Sequence, residues 1–395
     1  MTSLRNWSRY ILVLFFVYIS FPSEASQQNP TFEAHRIKDQ HQSRLAIKNQ
    51  VLSLLPHSKK DILKLTLVGE LKAPRIEHKT VQASDIQLTS NFAFVGYNYA
   101  GDLSLGGVDL LDVSSPSRPR LLEEVLSKNS EINAMSFDQS NRVLYLVGDS
   151  SALKGNPAFL AKYRIEDETA EVFLLPSFTG TGVFVGKHSI YATSGDNGGL
   201  SLFNKATMSP TAFVPLKDAR AVDSFSAHSD VFVLSGGNGQ LHDVSKDGEL
   251  LNSVPMPGNS LPDSKSTLEV GRAMSLVSLG ERGAAVVCNR SGKVVASIPA
   301  VSVAGIPPED TVTNSATECG GIIFTANGGA GVYAYGITAK GFRQQKDCSD
   351  LTVITLGQLS FGEERVSANQ VRCQGENLFV ASGLGGTKVI NVAIE

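Results

Sequence analysis

The chain has 395 residues, of which 42% are hydrophobic and 18% charged, and it contains 36 glycines. This length and composition allow a sizeable core, and they favour a β-rich, turn-rich protein over a helical bundle or a disordered chain. The formal net charge is −3 and no basic run is present, which argues against a nucleic-acid partner.

The first 25 residues have the pattern of a secretory signal peptide. Arg5 and Arg9 precede the apolar run Tyr10–Ile19, and small residues follow at Ser23 and Ala25. The alternative is an uncleaved membrane anchor, but the apolar run is short for crossing a bilayer. We therefore expect a periplasmic or secreted protein with no transmembrane anchoring after cleavage.

Residues 26–61 are polar and irregular, which predicts a linker. Within them, Ile47, Val51, Leu54 and Leu55 are spaced as on one face of a helix, and Pro56 ends the pattern. The sequence therefore predicts a short helix that either lies against the main domain or binds a partner.

From residue 62 to 395 one pattern repeats: an apolar strand ends in Gly or Asn, a small polar loop follows, and a second apolar strand returns. Seven copies are present, each predicted to form the second and third strands of a blade. The first of the two strands in each copy begins at Phe92, Val143, Ile190, Val231, Ala285, Ile322 and Leu378. The spacing of roughly 40–55 residues suits a four-stranded propeller blade. The last copy has no outer strand of its own, whereas Leu63–Leu71 is a spare strand before the first copy. The sequence therefore predicts an all-β, seven-bladed β-propeller closed by an N-terminal strand, which leaves no unpaired edge.

The clearest copy of the repeat runs from Gly106 to Leu122. Its segment Val108–Pro119, with the sequence VDLLDVSSPSRP, resembles the LVIVD repeat of bacterial exported β-propellers, in which such a run forms the outer part of a blade. The resemblance is specific over about fifteen residues and implies the propeller fold. That family carries no common activity and no common set of catalytic residues.

The four cysteines are Cys288, Cys319, Cys348 and Cys373. Aligning the blades places Cys319, Cys348 and Cys373 on one face of the ring, and places Cys288 at the end of a second strand on the opposite face. We therefore predict at most one disulfide, between two of Cys319, Cys348 and Cys373, with Cys288 free. The alternative is four free thiols.

Long loops are predicted on the rim where the second and third strands of each blade are joined. Functional residues concentrate in loops held by a rigid scaffold, so these loops are the candidate binding site. Their polar residues are Asn98, Tyr99, Asp102, Asp149, Lys154, Asp263, Lys265, Glu309, Asp310, Glu364 and Arg365. The acidic members could bind Ca²⁺, but no calcium-binding loop motif is present, so no metal ligands and no other cofactor are predicted.

No catalytic motif stands out, so no catalytic residue is predicted, and the expected function is binding. The sequence favours a non-enzymatic scaffold that engages a protein, glycan or cell-envelope partner through its loop-rich rim. The alternative is an exported propeller hydrolase or lactonase with a carboxylate site at the channel mouth. A third hypothesis is a subunit of an envelope complex that docks through the helix near Ile47–Leu55.

Overall fold

The computed structural model describes residues 29–37, 43–55, 63–226, 229–236, 239–257, 264–337, 351–361 and 367–394. These residues form β-strands and turns, with one short 3-10 helix at Pro308–Asp310. No helix in this part of the chain is long and apolar enough to cross a membrane. The predicted signal peptide lies outside the described residues.

In the described residues the strands group into seven four-stranded antiparallel units, to which the last of three N-terminal strands contributes, and a small hairpin follows these three strands. The N-terminal strands are β1 (Glu33–Arg36), β2 (Leu45–Leu55) and β3 (Leu63–Leu71), and the hairpin is β4 (Arg75–Ile76) and β5 (Lys79–Thr80). Unit one contains β6 (Gln82–Leu88), β7 (Phe92–Asn98), β8 (Gly106–Asp112) and β9 (Arg120–Ser127). Unit two contains β10 (Ala134–Asp138), β11 (Val143–Asp149), β12 (Ala158–Arg164) and β13 (Thr169–Leu174). Unit three contains β14 (Gly180–Val185), β15 (Ser189–Ser194), β16 (Gly199–Asn204) and β17 (Pro210–Pro215).

The remaining units have the same order of strands. Unit four contains β18 (Ala219–Asp223), β19 (Val231–Ser235), β20 (Gln240–Val244) and β21 (Leu250–Pro255). Unit five contains β22 (Leu268–Val270), β23 (Met274–Ser278), β24 (Ala284–Cys288) and β25 (Val294–Ile298). Unit six contains β26 (Ser315–Cys319), β27 (Ile322–Ala326), β28 (Val332–Ile337) and β29 (Val353–Ser360). Unit seven contains β30 (Gln370–Gln374), β31 (Asn377–Ala381) and β32 (Thr387–Ile394), and β3 is its fourth strand.

The units form a closed ring. The first strand of each unit contacts the first strand of the next, and β30 of unit seven contacts β6 of unit one. The first strands therefore surround a central channel, and the fourth strands lie at the periphery, as in a β-propeller. The β-propeller predicted from the repeat pattern is confirmed.

The predicted closure by an N-terminal strand is also confirmed. β3 pairs antiparallel with β32 along its length, from Leu63 opposite Ile394 to Leu71 opposite Thr387. Ring closure in this way joins the two ends of the repeat region and removes the open edge that unit seven would otherwise have.

The prediction of a helix near Ile47–Leu55 is wrong, because these residues belong to strand β2. β2 pairs with β29 on one side and with β3 on the other, so it bridges the outer edges of units six and seven. β1 likewise adds a fifth strand to unit one by pairing with β9. Residues 33–36 and 45–55 are therefore part of the propeller sheets, and no docking helix is formed by residues 45–55.

The core lies between neighbouring units, where apolar side chains of adjacent sheets pack face to face. Phe94 and Val108 of unit one, for example, share a buried cluster with Leu144 and Phe159 of unit two. Phe159 is fully buried. Burying a side chain of this size contributes about 1.5–3 kcal/mol to folding, so each interface between units stabilises the ring.

The glycine pair of the clearest repeat copy is required by close backbone approach. A Cβ atom at Gly106 would collide with the backbone oxygen of Tyr97, and one at Gly107 would collide with the backbone oxygen of Val125. Gly106 and Gly107 begin β8, which lies between β7 and β9. Substitution of either glycine would therefore push apart the strands that β8 joins.

The structure corrects the alignment of the fifth repeat copy and, with it, the cysteine prediction. The repeat pattern predicts that the segment beginning at Ala285 is the second strand of a blade, but β24 is the third strand of unit five. Cys288 therefore ends a third strand, and turns after first and third strands share one face of the ring. Cys319 and Cys373 each lie near the end of a first strand on that same face.

Cys319 and Cys373 form a disulfide with a Cα–Cα distance of 5.4 Å, which confirms a bond between two of the three candidate cysteines. Cys288 is disulfide-bonded as well, so the predictions of a free Cys288 and of at most one disulfide are wrong. Cys348 lies outside the described residues.

Candidate functional site

The central channel opens at one end into a cavity of about 710 Å³, which we call the cup. It lies on the rim that carries the loops between second and third strands. All seven units contribute a polar side chain within three residues of the start of their first strand. In order of the units, these side chains are Gln82, Asn133, Thr181, Arg220, Lys265, Asn314 and Asn369.

Three of these side chains are held in place by bonds to the backbone of the next unit. The side-chain amide nitrogen of Asn133 donates to the carbonyl oxygen of Gly180 at 3.2 Å. The side-chain amide nitrogen of Asn369 donates to the carbonyl oxygen of Ala83 at 2.8 Å. Asn314 makes the same type of contact with unit seven at 3.5 Å. The ring of units therefore orients the polar lining of the cup before any ligand arrives.

Two ion pairs cross the channel beneath the cup. The ammonium group of Lys265, from the loop before unit five, lies 2.8 Å from the Asp85 carboxylate of unit one and donates to the carbonyl oxygen of Ser84 at 2.6 Å. The guanidinium of Arg372, from unit seven, lies 3.3 Å from the Glu269 carboxylate of unit five. Units one and five are not neighbours in the ring, and units five and seven are not neighbours either. Both ion pairs therefore span the central channel.

Burial shifts the ionisation of the charged groups in the channel. It lowers the pKa of the Lys265 ammonium, while the adjacent Asp85 carboxylate opposes that shift. It also raises the pKa of Asp223, on β18, to about 6, with Arg372 opposing. The Asp223 carboxylate accepts the backbone N–H of Val270 at 2.8 Å. These groups tie the first strands of different units together around the channel.

The wall of the cup formed by units three and four carries charges of both signs and one exposed aromatic ring. Arg220 donates through two nitrogens to the Asp218 carboxylate, at 2.7 and 2.8 Å, so these two charges compensate each other. Lys217 and Asp196 are exposed. Phe178 is 54% exposed although it lines the cup, so it offers an apolar contact at the entrance.

An acidic pair lies at the edge of the cup between units one and two. The Glu131 carboxylate accepts the backbone N–H of Tyr99 at 3.0 Å, and the Asp149 carboxylate accepts the hydroxyl of Thr179 at 3.0 Å. Burial, together with the charge on Asp149, raises the pKa of Glu131 to about 8. Burial also raises the pKa of Asp149, and Thr179 opposes that shift. Burial and the neighbouring charge therefore both favour the protonated form of Glu131.

The structure brings some of the predicted rim residues together and separates the others. Asn98 and Lys265 line the cup, and Tyr99 and Asp149 belong to the hydrogen-bonded network at its edge. Exposed on the surrounding loops, and not part of the cup lining, are Asp102, Lys154, Glu309 and Asp310. Three predicted residues lie outside the described part of the chain: Asp263, Glu364 and Arg365.

Most of the cup lining was missed from the sequence. The signal that could have found it is positional, since one lining residue of each unit lies near the start of its first strand, but the first strands are short and weakly patterned. The first strands also carry charged residues, among them Asp85, Asp223, Glu269 and Arg372.

Within the described residues, no group of three or more His, Cys, Asp or Glu side chains could hold a metal ion. Binding of Ca²⁺ by the rim loops stays a prediction. The hydrolase or lactonase alternative also stays a prediction; of the carboxylates that line the described cup, Asp218 is held by Arg220 and Asp196 is exposed.

No protein-family model matches the chain, and no curated protein matches it. Solved structures share its fold. "Structure of U3-55K" aligns with a TM-score of 0.57 and 13% identity over 81% of this chain and 97% of that one. "Crystal structure of RRP9 WD40 repeats" aligns with a TM-score of 0.55 and 12% identity over 88% of this chain and all of that one. A computationally designed protein, Ika8, aligns with a TM-score of 0.52 and 10% identity over 87% of this chain and 96% of that one. These likenesses support the propeller fold.

Proposed function

We propose that this protein is an exported, non-enzymatic binding propeller whose cup holds a segment of a protein partner. The observation that carries the proposal is that all seven units place a polar side chain around one cavity of about 710 Å³. Binding sites in proteins are typically concave and contain a small number of positioned polar groups. The backbone contacts of Asn133 and Asn369 fix such groups in advance, which lowers the entropic cost of binding.

The chemistry of the lining favours an extended protein segment. The amide side chains of Gln82, Asn98 and Asn369 each carry donors and an acceptor, as a peptide backbone does. The exposed ring of Phe178 can pack against an apolar side chain of the same segment. Because the charged pair of Arg220 and Asp218 is already compensated, the cup does not demand a strongly charged ligand.

Export from the cytoplasm is part of the proposal. The signal-like pattern of residues 1–25 supports it, and so do the disulfide between Cys319 and Cys373 and the disulfide of Cys288, since disulfides persist in oxidising compartments. We also propose membership of the LVIVD-repeat propellers. Its support is that Gly106–Asp112 forms a third strand followed directly by a fourth, the outer part of a blade.

The proposed protein partner can be tested by photo-crosslinking at the cup. Phe178 is replaced with p-benzoylphenylalanine, and the full chain is expressed in the cells that make it. Phe225 provides a matched control, because it is 51% exposed but follows the first strand of unit four on the opposite face. We expect ultraviolet light to yield a defined crosslinked protein at position 178 and none at position 225.

The crosslinked protein, once identified and purified, is then titrated against the wild type and the Phe178→Ala and Phe225→Ala variants. We expect Phe178→Ala to weaken binding by about tenfold and Phe225→Ala to leave it unchanged. Equal crosslinking at both positions, no crosslinked protein at position 178, or crosslinking only to glycan or lipid would contradict the proposal.

A further inference from the structure

A second cavity, of about 470 Å³, lies between units two and three. It is lined by the turns that join β10 to β11, β12 to β13, β14 to β15 and β16 to β17. In an antiparallel unit, the turns after the first and third strands lie at the end opposite to the turn after the second. This cavity, which we call the basic groove, therefore opens on the face of the ring opposite to the cup.

The basic groove has an excess of positive charge in a chain whose net charge is −3. Its lining contains five cationic side chains and two acidic ones. The cationic side chains are those of Arg142, Lys162, Arg164, Lys187 and Lys205, and the acidic ones are those of Glu166 and Asp167. Positive charge concentrated in a concave site attracts anions more strongly than the same charges on a flat surface.

Some of these cations are compensated by neighbouring carboxylates. Arg142 lies 3.0 Å from Glu166, and Lys205 lies 2.7 Å from the carboxylate of Asp138 beneath the groove. Lys162 and Lys187, by contrast, make no ion pair or side-chain hydrogen bond with any residue that the structure describes. Among the described residues the groove therefore holds two lysines without a carboxylate partner, and Asp167 is the one lining carboxylate without a cation partner.

The two uncompensated lysines come from different walls of the groove. Lys162 lies on β12 in unit two and is half-buried, and Lys187 lies in the turn between β14 and β15 of unit three and is exposed. A ligand between the two units can contact both ammonium groups. Arg164, on the same strand as Lys162, is paired with Glu171 at 3.0 Å, so its charge is compensated as those of Arg142 and Lys205 are.

We propose that the basic groove binds a phosphomonoester group. Such a group carries a charge of about −1.5 to −2 at neutral pH, which matches the two uncompensated lysines, and it has three acceptor oxygens for their N–H donors. A single carboxylate would neutralise only one of the two lysines. The groove is confined between two units, which suits a small phosphorylated group. This site is separate from the cup and does not depend on the function proposed for it.

The test measures binding of phenyl phosphate to the full chain by isothermal titration calorimetry at low ionic strength. The double variant Lys162→Ala/Lys187→Ala removes the two uncompensated charges. The control Lys79→Ala/Lys154→Ala removes two exposed lysines away from the groove and changes the net charge equally. We expect saturable binding by the wild type and the control, and at least a roughly tenfold loss in the groove variant. Melting temperatures of both variants establish that they fold.

A second arm distinguishes a soluble ligand from a lipid headgroup. Co-sedimentation with phosphatidylcholine vesicles containing phosphatidic acid is compared with sedimentation with phosphatidylcholine alone. Binding of either probe that is lost in the groove variant and kept in the control supports the proposal and identifies the source of the phosphate. Absence of binding to both probes, or equal losses in the two double variants, would overturn it.

Discussion

A buried ion cluster attaches the N-terminal strands to unit one, and it allows a sharp prediction about stability. Arg44, directly before β2, forms ion pairs with Asp109 on β8 and Glu124 on β9. Asp109 is fully buried and also accepts a hydrogen bond from the Tyr97 hydroxyl at 2.6 Å. Burial lowers the pKa of the Arg44 guanidinium, but Asp109, Tyr97 and Glu124 together outweigh burial and raise it.

The perturbation is Arg44→Met, which keeps the aliphatic stem and removes the charge. Removing one partner of a buried ion pair costs about 3–5 kcal/mol, because the remaining charge is left without compensation. The Arg44 side chain is 17% exposed, so we expect the lower end of this range, about 3 kcal/mol. The assay is urea unfolding followed by circular dichroism, with the free energy obtained from the midpoint and slope.

Two further variants separate the buried charge from other effects. Arg164→Met is the matched control, because the Arg164 side chain is 44% exposed and pairs with Glu171 at 3.0 Å; an exposed pair of this kind contributes about 0–1 kcal/mol. Adding Asp109→Asn to Arg44→Met removes the orphaned carboxylate and should restore part of the lost stability. An Arg44→Met variant as stable as Arg164→Met would refute this reasoning.

Four other measurements address the acidic edge, the disulfides and the N-terminus. The pKa of Glu131 is raised from 4.5 to about 8, so the folded state holds this proton more tightly than the unfolded state and loses that stabilisation as pH rises through this window. The Glu131→Gln variant should therefore gain stability relative to the wild type between pH 5 and 8. The same difference in urea midpoint between variant and wild type at both pH values would contradict this. Replacing Cys319 and Cys373 with serine removes a cross-link spanning 54 residues and should lower the free energy of unfolding by about 4 kcal/mol. Maleimide labelling of unfolded, unreduced protein should leave Cys319, Cys373 and Cys288 unlabelled. Trp7 is the only tryptophan and lies in the predicted signal peptide. Protein purified after export and cleavage should therefore show no tryptophan emission, and such emission would contradict cleavage.

The propeller could be predicted from the sequence because its strands obey local rules. Alternating apolar residues and glycine-rich turns identify strands without reference to the rest of the chain. Counting strands predicts that Leu63–Leu71 closes the ring, because the last repeat copy lacks an outer strand. That accounting requires only the repeat pattern, and the pairing of β3 with β32 confirms it.

The helix assigned near Ile47–Leu55 shows where local rules fail. Residues four apart share one face of a helix, but residues an even number apart also share one face of a strand. In β2, Ile47, Val51 and Leu55 are 54%, 70% and 43% exposed. Their spacing is compatible with both structures, and only pairing with β29 and β3, far away in the chain, selected the strand.

By itself, then, the sequence determined the strand pattern, the repeat and the closure of the ring. The tertiary structure decided the cup and the channel. Lys265 and Asp85 are 180 residues apart in the chain, and Arg372 and Glu269 are 103 apart, yet ring closure brings each pair into contact. No local pattern encodes such contacts, because the residue facing the channel is set by which strand of each unit is innermost. The strand Ala284–Cys288 is predicted as the second strand of its blade but is the third. Such an error of one strand in the alignment moves the end of the strand to the other face of the ring.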